Sequence, residues 1–499
     1  MSAATSLIRA APTVPCAPWP RHVLTPEDWR RLAAPPRPAP APALLGLWAE
    51  TGYVHALFRD PADGVILPAS VPVVGGFYPA LSPGHPAASW FERMILDLWG
   101  HTAEGGRDLR PWLDHGRWPA QAPLSPRPVP ASAPPEPPAF LGTTGGEAHV
   151  LPLGPVPDRV AEAAYLRVTL AGATVARAEA RLGYMHKGTL GLLRGKSPRA
   201  AARFAARLAG DATVAHAIAF ARAAEAASGV AVPARAEALR GLMAELERCA
   251  AHCAAIAATA EAAGCAPLAA IAQARGEALR RAAAAAFGHR LMMDCVVPGG
   301  VAAELAPGGA AALAAALAGL AASWPAMARW GERLAPRLAG IAVTPPALLA
   351  AFAVGGVIGR AGGVADDPPC VPGDPAYPGM QVAAPVRTEG DAAARLTLRL
   401  ADLSRSAGLL ETWLAAPAAG AVAVPLPPMS GEGIGGAEGP RGAVWHWLRL
   451  DGGMIATCFP RDPGWLQWPL LEAALAGGTV ADVPLALASF DARSAGVDL

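Results

Sequence analysis

Lysine is almost missing from this chain. Only Lys187 and Lys196 stand among 499 residues, and every other basic residue is Arg. With heavy use of Ala, Gly and Pro, that bias reads as the mark of a GC-rich genome more than of a function. Charge is scarce as well: 16% of residues are charged, and they cancel to a net charge of +1. That balance argues against a dedicated nucleic-acid binder, which needs a basic surface to displace the counterions of phosphate. Seven cysteines in so long a chain do not make a disulfide scaffold, and a reducing, cytoplasmic setting is the simpler expectation. The N-terminus carries no apolar core after a basic start, so no signal peptide is expected. The most apolar run, Ala310–Ala322, falls short of the ~20 residues that span a bilayer. It is expected to be a buried bundle helix, and any membrane contact to run through partners.

What is present is a large apolar share, 53%, ample for extensive cores. Proline divides the chain. The stretches Pro35–Pro42 and Pro123–Pro138 are too proline-rich for helix or sheet. The division is a Pro-rich N-terminal segment (1–43), a first domain (44–120), a Pro-rich linker (121–139) and a second domain (140–499). In the first domain, LLGLWAE, GYVHALFRD and Val65–Leu67 read as strands of a small antiparallel sheet. Phe91, Met94, Ile95, Leu98 and Trp99 then recur on one helical face, with Glu92, Arg93 and Asp97 opposite and Gly100 as the stop. The second domain opens with two short strands, HVLPLGPV and YLRVTLAG. Long Ala-rich helices follow: 197–228, 235–263, 268–293, and one from about 310 to 335 that is interrupted at Pro325 and stopped by Pro336. After Pro345 the pattern loosens into loops, with a last hairpin at WHWLRLDGGMIATCF. The fold class is α+β: a small N-terminal α/β sheet domain, then a larger domain with an Ala-rich helical bundle and peripheral short strands.

Two local motifs carry little chemistry. Gly431-Glu432-Gly433-Ile434-Gly435-Gly436 fits a dinucleotide fingerprint in letters, but no strand precedes it and no helix follows, so a glycine-rich loop is expected. Cys249, His252 and Cys253 share a helix face, yet the surroundings are apolar, and buried cysteines are the expectation over a zinc site.

A third set of residues is more specific. Arg181-Leu182-Gly183-Tyr184-Met185-His186-Lys187-Gly188 continues through Arg207-Leu208-Ala209-Gly210-Asp211, His216 and Arg222 to Glu245, Glu247, Arg248 and His252. This series resembles the large subunit of energy-converting [NiFe] hydrogenases and its relative, the D-type subunit of complex I. The first domain, with Phe77-Tyr78-Pro79 and Trp90-Phe91-Glu92-Arg93-Met94-Ile95-Leu96-Asp97-Leu98-Trp99-Gly100, is similar to the C-type subunit of complex I. The resemblance covers nearly everything beyond residue 44, including GEGIGGAEGPRG and RDPGWLQWP. Fusion of the two is the arrangement of formate-hydrogenlyase-type large subunits.

The resemblance also assigns positions. The first nickel motif, R-x-C-G-x-C-x-x-x-H, falls on Arg207, Ala209, Gly210, Ala212 and His216. The last, D-P-C-x-x-C, falls on Asp491, Arg493 and Gly496. All four thiolate positions therefore hold other residues (Ala209, Ala212, Arg493, Gly496), and a nickel–iron centre needs those soft ligands. The quinone loop of the D-type subunit falls at Gly154-Pro155, without its histidines. His186, Arg207, Asp211, His216 and Arg493 remain as cleft candidates, each of which is equally well a helix-packing residue; Arg493 is expected to pair with Asp211. The resemblance implies a subunit of a membrane-associated, NADH-dehydrogenase-like or hydrogenase-like oxidoreductase. It would bind no cofactor of its own, pass electrons toward quinone or another acceptor, and sit on the cytoplasmic face of the membrane. Its expected partners are a [4Fe–4S] small subunit, other hydrophilic-arm subunits and antiporter-like membrane subunits. The alternative is a non-catalytic scaffold that keeps the fold and the docking surfaces.

Overall fold

The computed structural model describes residues 3–34, 42–131, 137–142, 148–156, 162–365, 374–377, 384–415 and 419–499. Helix and strand are mixed and partly segregated, an α+β architecture. The first sheet has five strands in the order β1-β2-β5-β4-β3: β1 (Thr13–Val14), β2 (Arg21–Val23), β3 (Ala43–Glu50), β4 (Tyr53–Arg59) and β5 (Ile66–Pro72). β3, β4 and β5 form an antiparallel meander, and β2 joins β5 in parallel. The sheet thus begins before residue 44, within the segment read from sequence as merely Pro-rich. Helices α1 (Ala3–Ala10) and α2 (Pro26–Leu32) also form there, α2 capped by Thr25 and opened by Pro26. Residues 35–41, the proline run itself, lie outside the described residues.

Helix α3 (Ala88–Trp99) buries Phe91, Met94, Ile95, Leu98 and Trp99, and Gly100 closes it in a left-handed conformation. Its other side is covered as well. Glu92 and Arg93 are buried because the loops at 81–82 and 110–111 fold over them.

The second half begins with a three-stranded antiparallel sheet, β6 (Ala148–Leu153), β7 (Tyr165–Ala171) and β8 (Thr174–Arg181). The bundle comprises α4 (Pro198–Ala205), α5 (Thr213–Ser228), α6 (Ala234–Ala262), α7 (Ala266–Phe287), α8 (Gly309–Leu338) and α9 (Ala392–Ala415), with α6 packed between α7 and α9. Three corrections arise here. The expected 197–228 helix breaks between α4 and α5, so the Arg207–Ala212 stretch is a turn. Helix α8 runs unbroken through Pro325 and Pro336; both prolines lie on its exposed face, where the carbonyls they free meet solvent. Nor is α8 a buried core helix. It presents one stripe inward, Leu313, Leu317, Leu320, Met327, Leu334 and Leu338, and an alanine face outward. It is long and apolar enough to cross a membrane by length and composition, and only 22% of its most apolar window is buried.

The last sheet is β9 (Gly431–Gly439), β10 (Gly442–Asp451) and β11 (Met454–Arg461), followed by α10 (Gly464–Leu475) and α11 (Val483–Phe490). The glycine-rich segment expected to loop is therefore a strand. A Cβ at Gly431, Gly433 or Gly435 would run into the carbonyls of Ala227, Ala223 and Ala219. Glycine at alternate positions lets β9 lie directly on the backbone of α5. The two halves share one core: Phe91 stacks on Trp465 with centroids 4.6 Å apart, and Trp48 meets Trp447 at 5.6 Å. Arg21 binds Glu432 through two hydrogen bonds of 2.8 and 3.0 Å.

Candidate functional site

The turn between α4 and α5 sets the first wall of the site. Helix α5 starts without a side-chain cap of its own. Glu247, reaching across from α6, accepts hydrogen bonds from the amides of Val214 and Ala215 at 2.7 and 3.1 Å. It thereby satisfies donors that a helix N-terminus leaves orphaned. Burial outweighs those two bonds and pushes the Glu247 carboxyl up to about 8, so near neutral pH it holds its proton.

From the same turn, Asp211 accepts from Arg441 Nε at 2.6 Å. Arg441 stands in the tight connection between β9 and β10, and its two terminal nitrogens grip both oxygens of Asp462, each at 2.8 Å. Asp462 lies 3.2 Å from His216 Nε2, and His216 Nδ1 lies 3.0 Å from His446 Nε2. These five side chains form one line from the turn into the last sheet, buried except at its outer end, Asp211, which is partly exposed. Burial alone would raise the Asp462 carboxyl, but Arg441 and His216 reverse this and hold it well below the usual carboxylate range. Burial, together with the neighbouring His216, keeps His446 neutral.

The C-terminal tail closes the site. Ser494 and Ala495 donate their amides to Glu162, both at 2.7 Å. Gly496 presses against Asp462 so closely that a Cβ would stand 2.5 Å from its carboxylate. Beside this line a cavity of about 170 Å³ is lined by the charged or polar Glu162, Asp211, Glu247, Arg280, Arg290 and Arg493 and by the apolar Leu246, Leu279, Leu291 and Met292. It combines apolar side chains with a protonated carboxyl and fixed charges, a lining suited to a mostly apolar molecule that carries polar atoms.

Of the residues singled out from sequence, Asp211 and Arg493 face this cavity, and His216 lies one layer behind it. Arg493 does not pair with Asp211. Its partner is Asp491, two residues away in the same turn, at 2.9 Å, while Arg441 takes Asp211. His186 is elsewhere, stacked on Trp118 with its Nδ1 2.6 Å from the Asp498 carbonyl. Arg207 is on the outside, paired with Asp294 at 2.7 and 2.8 Å. Ala209 and Ala212 are buried. Gly154, in a left-handed conformation packed on Ala164, and Pro155 end β6; the next residues, 157–161, lie outside the described residues. Cys249 and Cys253 are buried, His252 lies 3.7 Å from Asp402, and Arg360 and Arg405 already hold that carboxylate. Among the described residues, no group of three or more His, Cys, Asp or Glu is placed to hold a metal ion. Arg441, Asp462, Glu162 and Glu247 were not named as site residues from sequence. Arg441 and Asp462 do fall inside the two C-terminal runs that carried the resemblance.

Two family models match parts of this chain. Residues 187–255 match the nickel-dependent hydrogenase family, and residues 263–429 match the 49 Kd subunit of respiratory-chain NADH dehydrogenase. The chain is a relative of both. It is 28% identical to Hydrogenase-4 component G of Escherichia coli over 40% of its own length and 38% of that protein's. It is 25% identical to Formate hydrogenlyase subunit 5 of the same organism over 83% of this chain and 75% of the other. In fold it is similar to a chain of the membrane-bound sulfane sulfur reductase, an archaeal respiratory membrane complex, with a TM-score of 0.65, 24% identity, and 70% and 98% of the two chains covered.

Proposed function

We propose that this chain is the large subunit of a membrane-associated oxidoreductase assembly of the complex I and hydrogenase kind. In this reading it contributes an acceptor cleft and no nickel–iron chemistry. A single observation carries this: a buried ion-paired line, Asp211–Arg441–Asp462–His216, stands where the turn of the first nickel motif meets the C-terminal tail. The residues do not fit a nickel–iron centre. No sulfur stands at 209, 212, 493 or 496, a guanidinium stays protonated and cannot act as a ligand, and the Asp462 carboxylate fills the space a side chain at 496 would need.

A quinone fits the adjoining cavity better. When bound, it accepts two electrons and two protons. Leu246, Leu279 and Met292 would lie against its ring, and Glu247 holds a proton in the same cavity. Arg441 and Asp462 keep the wall rigid. Electrons would arrive from a [4Fe–4S] partner subunit, and antiporter-like membrane subunits would complete an assembly on the cytoplasmic face of the membrane.

Purification of the intact assembly tests this. Nickel should be far below stoichiometric by elemental analysis, and quinone reduction should be present and fall at least tenfold in Glu247→Gln with the assembly intact. Stoichiometric nickel would overturn the reading. A second reading, a scaffold without chemistry, is favoured by the pairing of every charge in the line with a protein partner. An assembled Glu247→Gln variant that reduces quinone at the normal rate would leave that reading standing.

A further inference from the structure

We propose that the seam between the two halves is a binding site for a small organic anion with a flat ring, the class of aromatic carboxylates. A second cavity, of about 210 Å³, opens there between α3, the 108–115 loop and β8, away from the cleft. Its charges do not balance. Arg93, Arg110, Arg177 and Arg181 line it. Asp108 is taken by Arg93 and Arg110, and Glu179 by Arg110 and Arg177. Glu472, the third acid in the wall, is buried and caps the amide of Ala180; burial pushes its carboxyl up to about 8, leaving it neutral.

Arg181 is therefore left without a carboxylate among the described residues, and its buried Nε finds no acceptor. The buried His115 Nε2 beside it also lacks a partner. Burial, and next the charge of Arg181, hold His115 down to about 4, so it faces the cavity as a neutral ring. The Arg181 guanidinium lies over the Tyr184 ring, 5.4 Å from its centroid, but meets no carboxylate, so an anion in the cavity would add the charge partner it lacks.

The other wall chooses the kind of anion. Trp90 and Trp112 lie with centroids 4.3 Å apart, and Phe140 closes a further side. Aromatic walls favour a flat ring over a compact, strongly hydrated ion. An apolar cavity of about 150 Å³ holds benzene, so this one has room for a ring bearing one carboxylate.

Calorimetric titration of the full-length protein with benzoate, benzamide and inorganic phosphate tests the site. Benzoate should saturate a single site at least tenfold more tightly than either of the others. Arg181→Gln should weaken benzoate at least tenfold, with Arg181→Lys between the two. His115→Phe, which keeps the packing, should weaken it less than Arg181→Gln. Circular dichroism checks that each variant is folded. No saturable benzoate binding, or binding unchanged in folded Arg181→Gln, overturns the proposal. Phosphate binding as tightly as benzoate overturns the flat ring.

Discussion

Two regions of this protein bury carboxylates, and they do so in opposite ways. In the first domain, Glu92 accepts from the amides of Leu81 and Ser82, and Asp97 from those of Trp112, Leu113 and Asp114. Burial prevails over those amides, and Asp97 is pushed up to about 6. In the cleft, Asp462 is gripped by a guanidinium and an imidazole and held well below the usual range. The first arrangement fixes loop shape and tolerates a proton. The second fixes charge and excludes one. Both look alike in a sequence, as single acids in apolar surroundings, and the difference lies in what the distant chain supplies.

Arg441→Met should break the comparison most severely. It leaves Asp462 buried and Asp211 at the cavity edge without their cation, and removing one partner of a buried pair costs about 3–5 kcal/mol. Urea denaturation of the purified protein would measure it; a loss under about 1 kcal/mol would mean that the line is not an ion-paired structure. Gly433→Ala comes next. Its Cβ would strike the Ala223 carbonyl, so β9 must lift from α5, a cost of about 3 kcal/mol by the usual range for overpacking. An alanine tolerated there without loss would show that the strand is not seated on that helix.

The third expectation is a pH slope. The unfolded Asp97 carboxyl releases its proton near 4, whereas the folded one keeps it to about 6. Between these values the folded state holds the extra proton, so stability falls as pH rises, by roughly 3 kcal/mol for this group. Asp462 has the opposite sign: its contribution is complete above about pH 4 and is lost as pH falls further. Glu247 and Glu472, each about 8, extend the downward slope with the sign of Asp97. Asp97→Asn should flatten the slope between pH 4 and 6, and an unchanged slope would remove Asp97 as its source.

These contrasts also mark how far the sequence could be read. The meander of β3–β5, helix α3 and the hairpin β10–β11 were legible because each is a local apolar run bounded by a clear turn or stop, although both faces of the strands prove to be buried. Strand β9 was not, since four of its six positions from 431 to 436 are glycine and show no pattern until α5 lies against them. Helix α9 was hidden behind the Gly/Pro-rich stretch before it. In the site, motif spacing pointed to Asp211, His216 and Arg493. Their true partners could not be read that way, because Arg441 stands 230 residues from Asp211 and Asp462 stands 246 from His216.

The smallest effect should come from Arg493, the arginine that the sequence singles out, whereas Arg441 is not singled out there. The two differ in what depends on them. Arg441 is buried between two acids, whereas Arg493 keeps 17% of its side chain exposed and pairs with one acid. That acid, Asp491, also feels the nearby charges of Arg399 and Arg441, so losing Arg493 does not leave it alone. Arg493→Ala should therefore cost only about 1 kcal/mol, the scale of one partly solvated charged hydrogen bond. Because Arg493 lines the cavity, the same variant should still change the affinity of whatever binds there. Denaturation of Arg441→Met, Arg493→Ala and the double variant sharpens the point. The two share the field at Asp211 and Asp491 but no hydrogen bond, so their losses should add to within about 0.5 kcal/mol. A large coupling would instead make Arg493 part of the buried line, and the cleft one charge network rather than two.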